Sequence, residues 1–126
     1  MKNVLVVDDE PDVEFLFLQR FRKEIKSGNI EFQFAFSTDE ALEFLNKESA
    51  QDFLLVLSDI NMPGMSGLEL LDNIKKTYLK PPPVVMMITA YGDEENYTTA
   101  MSLGADDFLT KPLEFKLLKE KLKEIQ

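Results

Sequence analysis

Apolar and polar positions fall into blocks along this chain, and the period within each block sorts it into strands and helices. Residues 3–7 form a nearly continuous apolar run that ends in the acidic pair Asp8-Asp9. Residues 30–36 alternate, with Phe32, Phe34 and Phe36 on one face, as in a strand covered mainly on one side. Residues 53–57 and 83–88 are continuous apolar runs, the pattern of parallel strands buried on both faces. Phe108-Leu109 makes a short fifth strand before Lys111-Pro112.

Segments of helical period lie between these runs. Val13, Phe17, Phe21 and Ile25 recur every fourth residue and predict one helix, closed by Gly28. Thr38 or Asp39 is placed to cap a second helix carrying Ala41, Leu42 and Leu45. Ser66 or Gly67 opens a third, with Leu71, Ile74 and Tyr78 inward. Asp93 caps a fourth that stops at Gly104, and a fifth runs from about Glu114 with Leu118, Leu122 and Ile125 inward. Pro81-Pro82-Pro83 cannot continue a helix and reads as an extended connector into the fourth strand.

Alternating β and α segments predict an α/β fold: a flavodoxin-like, doubly wound (βα)5 domain. Its parallel sheet has the order 2-1-3-4-5 with helices on both faces. A length of 126 residues without a linker or repeat makes residues 1–126 one domain. In such sheets ligands sit beyond the carboxyl ends of the strands, where the strand order reverses. Asp8-Asp9, Asp59, Thr89-Ala90 and Lys111 follow the apolar runs and should therefore converge.

Composition narrows the chemistry available there. The chain has no cysteine and no histidine. Thiolate metal sites and Ser-His-Asp or Cys-His catalysis are therefore excluded. A metal must be held by oxygen, and carboxylates that converge need a cation between them. Magnesium, which takes few carboxylates, some waters and a phosphate, fits best. The net charge of −9 argues against direct nucleic-acid binding. No signal peptide opens the chain and no apolar run approaches about 18 residues, so a cytoplasmic protein that does not enter a membrane is expected.

Asp59 is a carboxylate able to attack phosphorus and form an acyl phosphate, although its segment is also good turn chemistry. Lys111 offers a positive charge to a phosphoryl oxygen or to free Asp59. Thr89 offers a hydroxyl donor, and small Ala90 keeps the approach open.

Four motifs then stand out in order: residues 6–11 (VVDDEP), residues 58–67 (SDINMPGMSG), Thr89-Ala90, and residues 104–112 (GADDFLTKP). With them the chain resembles, over essentially all of its length, the receiver domain of two-component response regulators, of which the chemotaxis regulators are examples. The resemblance implies that Asp59 is the phosphoacceptor, charged from a phosphohistidine on a sensor histidine kinase or phosphotransfer protein. It implies Mg2+ bound by Asp8, Asp9 and Asp59, with the backbone carbonyl of Asn61 completing the site. Lys111 would pair with the phosphate, and its peptide bond to Pro112 would be cis. Thr89 would swing toward the phosphoryl group and Phe108 would change rotamer with it. Phe108 departs from the family's commonest residue, tyrosine, and has no hydroxyl through which to report the switch. Asn61 and Tyr91 stand where the family tunes the lifetime of the phosphoryl group.

The resemblance further implies a signalling switch that catalyses only its own phosphorylation and dephosphorylation. Its output face would be the fourth helix, fifth strand and fifth helix, around Tyr97, Met101, Phe108 and Phe115. That face would meet an output domain, another partner protein or a second copy in a phosphorylation-dependent dimer. Three other readings stay open at this point. A phosphohydrolase of the aspartyl-phosphate type would use Asp59-x-Asn61 as a D-x-D motif lacking its second acid. A flavin-binding domain of the same fold would need a hydroxyl- and glycine-rich loop where this chain has residues 8–11. A degenerate receiver would serve only as a docking module.

Overall fold

The computed structural model describes residues 2–47, 53–62, 66–77, 84–90 and 93–125. Five strands, β1 (Lys2–Val7), β2 (Ile30–Ala35), β3 (Leu55–Asp59), β4 (Val84–Thr89) and β5 (Asp107–Thr110), form one parallel sheet in the order β2-β1-β3-β4-β5. The helices are α1 (Asp12–Arg20), α2 (Arg22–Lys26), α3 (Thr38–Lys47), α4 (Gly67–Thr77), α5 (Glu94–Ser102) and α6 (Phe115–Glu124). The order reverses between β1 and β3, as the βα alternation predicts.

The continuous apolar runs are explained by a core on each face of the sheet. Along β1, Leu5 and Val7 join a cluster with Ala41 and Leu45 of α3, Leu70, Leu71 and Ile74 of α4, and Ala100 of α5. Val4 and Val6 point the other way, toward Phe17 of α1 and Leu118 and Leu122 of α6. The strands β3 and β4 alternate in the same manner, with Val56, Val85 and Met87 on one side and Leu55, Leu57, Met86 and Ile88 on the other. Burying each such side chain is worth about 1.5–3 kcal/mol, and both faces of these strands contribute.

The expected first helix is two. Phe21 leaves helical geometry (φ −106°, ψ 18°) and divides α1 from α2. Its ring stacks at 6.0 Å from Phe17 and lies edge-on to Phe32 at 4.9 Å and to Phe115 at 6.1 Å. Lys119 of α6 holds α2 from outside, with its Nζ 3.0 Å from Glu24 and 5.2 Å over the Phe21 ring. Aromatic packing and this clamp override helical continuity without disturbing the four-residue spacing, so the period could not reveal the break. The fourth and fifth helices expected from the pattern are therefore α5 and α6.

Caps set the helix ends. The α3 cap is Ser37 and not Thr38 or Asp39: Ser37 Oγ accepts from Glu40 N at 3.1 Å while Glu40 reaches back to Phe36 N at 2.9 Å. That resembles a Ser-x-x-Glu capping box with the return bond taken by the residue before the cap, and Thr38 is already the first helical residue. Ser66 Oγ accepts from Glu69 N at the start of α4, and Asp93 accepts from Asn96 N at the start of α5. Gly104 ends α5 with φ 98°, which lets Ala105 N return to Ala100 O at 3.0 Å. Tyr78, Tyr91, the proline run 81–83 and residues 63–65, within the segment expected to turn, lie outside the described residues. Among the described residues no helix is long and apolar enough to cross a membrane.

Candidate functional site

Sheet register places the chemistry. β1 pairs with β3 with Val7 opposite Ser58, so Asp8 and Asp59 leave neighbouring strands side by side. β3 pairs with β4 with Asp59 opposite Ile88, and β4 pairs with β5 with Thr89 opposite Thr110. One residue further on, Lys111 N donates to Thr89 O at 2.8 Å. The ends of β1, β3, β4 and β5 thus bring Asp8, Asp59, Thr89 and Lys111 together. This is the convergence expected from residues that follow the apolar runs.

Asp59 is the last residue of β3 and its side chain is almost fully enclosed. Its Oδ2 accepts from Lys111 Nζ at 2.9 Å and its Oδ1 accepts from Asn61 N at 3.3 Å. Both oxygens are held, and Lys111 stands ready beside any group added to them. The Lys111-Pro112 peptide bond is cis.

The carboxylate oxygens of Asp8, Asp9 and Asp59 lie within 4.8 Å of one another, close enough to share one ion. Asp8 is 5% exposed and Asp59 2%, while Asp9 lies further toward solvent. Burial pushes the Asp8 carboxyl up to about 6 against the opposing hydrogen bond from Glu10 N, and the Asp59 charge adds to the rise. Burial works against the charge of Lys111, but the Asp59 hydrogen bond and the charges of Asp59, Asp8 and Glu10 outweigh it, so its pKa is raised. Lys111 is thus kept as a cation, and Asp8 is a carboxylate lacking a counter-charge of its own. Oxygen donors only, clustered and partly uncompensated, suit a hard divalent cation.

Thr89 ends β4 and is buried. Phe108 is half-buried in β5 with its ring 4.4 Å from that of Tyr97 on α5. Tyr97 and Met101 are each 48% exposed. Phe115 does not share that surface. Its ring lies edge-on to Phe17 at 5.2 Å, with the Arg20 guanidinium 5.6 Å from its centre, on the α1 side of the sheet. As the first residue of α6, it turns to the aromatic cluster where it can be covered.

In the sequence Gly67 is a helix opener and the last residue of the motif at 58–67. The start of α4 presses on the Asp59 main chain: a Cβ at Gly67 would lie 2.0 Å from Asp59 O. Strand and helix periods do not mark this approach, which joins the end of β3 to the start of α4 eight residues on.

A family model described as the response regulator receiver domain matches residues 4–123. The response regulator protein PilR of Pseudomonas aeruginosa is 38% identical over 122 residues, which is 94% of this chain and 25% of PilR. The chain therefore spans about a quarter of the length of that relative. Among solved structures, the receiver domain of NtrX from Brucella abortus has a TM-score of 0.80 at 34% identity, covering 97% of this chain and 96% of that one. The Vibrio cholerae chemotaxis protein CheY4 has a TM-score of 0.83 at 25% identity, covering 100% and 99%.

Proposed function

The chain belongs to the family of response regulator receiver domains of two-component systems, and from that membership we propose that Asp59 is its phosphoacceptor and residues 1–126 act as one switch. The observation that carries the reading is the Asp59 carboxylate itself: buried, 2.9 Å from Lys111 Nζ, and clustered with Asp8 and Asp9 at the switch point of the sheet. An Asp59 oxygen forms the new O–P bond as the P–N bond to a donor imidazole breaks. The imidazole leaves with that electron pair and takes up a proton.

Lys111 transfers its hydrogen bond from Asp59 Oδ2 to a phosphoryl oxygen, so the added charge meets a fixed cation. The Thr89 hydroxyl donates to another phosphoryl oxygen. Asp8, Asp9, Asp59 and the Asn61 carbonyl would hold Mg2+, which supplies charge neutralisation for the phosphoryl oxygens when bound. The donor is a sensor histidine kinase or phosphotransfer protein, and the setting is the cytoplasm.

Drawing Thr89 toward the phosphate leaves room behind it for the Phe108 ring, and Tyr97 follows through its contact with that ring. The responding face is then α5, β5 and the outward side of α6 without Phe115, centred on Tyr97 and Met101, and it engages an output domain, a partner protein or a second copy. A pre-existing minor conformer becomes the dominant one. Beryllofluoride with magnesium, which mimics the phosphoryl group, tests this by NMR. Amide shifts at Thr89, Tyr97 and Phe108 are expected in the wild type and absent in Asp59→Asn. An undiminished response in Asp59→Asn would overturn the reading.

A further inference from the structure

We propose that Gly67 is a positioning residue for the phosphoacceptor, setting where the Asp59 main chain stands; the proposal rests on the reading of Asp59 above. A Cβ at position 67 would lie 2.0 Å from Asp59 O, 2.9 Å from Asp59 C and 2.9 Å from Ile60 Cα. All three are backbone atoms, so no side-chain rotation relieves the overlap. The carbonyl would have to retreat by about 1 Å to reach even the 3.0 Å below which real Cβ contacts are essentially never found.

Its surroundings leave it nowhere to go. Ser58 Oγ donates to Asp59 O at 3.0 Å, and Gly67 N donates to Ile60 O at 2.9 Å. Ile60 N donates to Ile88 O at 3.2 Å on the far side, and the Ile60 side chain is buried. The bare face of Gly67 thus closes one wall of a slot whose other walls are β4 and the Ser58 hydroxyl.

The same residue's side chain carries the site. Asp59 Oδ2 meets Lys111 and Oδ1 meets Asn61 N, at 2.9 and 3.3 Å. A shift of the Asp59 main chain therefore moves the attacking oxygens relative to Lys111, Asp8 and Asp9 together. Displacement of about 1 Å in a reacting group costs on the order of a hundredfold in rate.

The test compares Gly67→Ala with Gly28→Ala. Gly28 has φ 80° with nothing within 4 Å of an added Cβ, so its substitution strains the backbone far from the site. The readouts are the maximal rate constant for phosphorylation by acetyl phosphate at saturating magnesium and the magnesium dissociation constant. Both are taken at a temperature where circular dichroism shows each variant folded. Gly67→Ala should slow the maximal rate by about tenfold to a hundredfold and weaken magnesium binding. Gly28→Ala should lower the melting temperature and leave both readouts at wild-type values. Should Gly67→Ala fail to fold, Ser58→Ala removes the hydroxyl from the same carbonyl at little change in volume, and it should lower the same rate several-fold. A folded Gly67→Ala with wild-type rate and magnesium affinity overturns the proposal, as does wild-type behaviour of Ser58→Ala where Gly67→Ala is unfolded. Wild-type protein that takes no phosphoryl group sinks the Asp59 reading itself and this proposal with it.

Discussion

Asp8 carries the electrostatic tension of the site, because it is a buried carboxylate beside a second one with its nearest cation committed to that neighbour. Its carboxyl rises from 3.8 to about 6, chiefly through burial. Below pH 3.8 the folded and unfolded chains both hold this proton. Between 3.8 and about 6 the unfolded chain releases it while the folded chain keeps it, so the Asp8 contribution to stability falls as pH rises through that window. A divalent cation reverses the preference by demanding the carboxylate. Magnesium affinity should therefore weaken as pH falls below about 6, approaching tenfold per unit for one displaced proton, which calorimetry at several pH values would read. Asp8→Asn should lose magnesium binding and yet melt higher than wild type in the metal-free state at neutral pH. A pH-independent affinity would contradict the assignment of Asp8 as a strained ligand.

Among the elements, those with strong periods were legible in the sequence, and the exceptions share a cause. Residues 3–7, 53–57 and 83–88 announced buried parallel strands because both faces carry apolar residues, and β1, β3 and β4 overlap those runs within two residues at each end. The division of α1 from α2 escaped notice because Phe17 and Phe21 keep their four-residue spacing across it. The α3 cap lies one residue before Thr38 and two before Asp39, and the spacing Ser37-x-x-Glu40 is its signal in the sequence. Ser37→Ala should cost about 1 kcal/mol, lowering the melting temperature by about 4 °C in a calorimetric scan. Phe115 lies on the α1 side and not with Tyr97, because an amphipathic helix shows which residues turn inward, not which neighbouring helix meets its first turn.

At the scale of the molecule, convergence of the site could be read from topology alone. Once the sheet order is 2-1-3-4-5, whatever follows β1, β3, β4 and β5 must meet at one edge. The role of Gly67 could not be read that way, since it depends on a distance between a helix start and the end of a strand. The same topology puts a different core on each face of the sheet. The α1–α2–α6 face is locked by rings from Phe17, Phe21, Phe32, Phe34 and Phe115. On the other side, Tyr97 and Met101 remain open to solvent beside half-buried Phe108. All of this depends on chemistry at one carboxylate. Intact-mass measurement after incubation with acetyl phosphate and magnesium, followed by peptide mapping, tests it most directly. The account predicts addition of one phosphoryl group on Asp59, which does not occur when magnesium is left out of the reaction and is absent in Asp59→Asn. A phosphoryl group found on any other residue, or one that persists in Asp59→Asn, would contradict it.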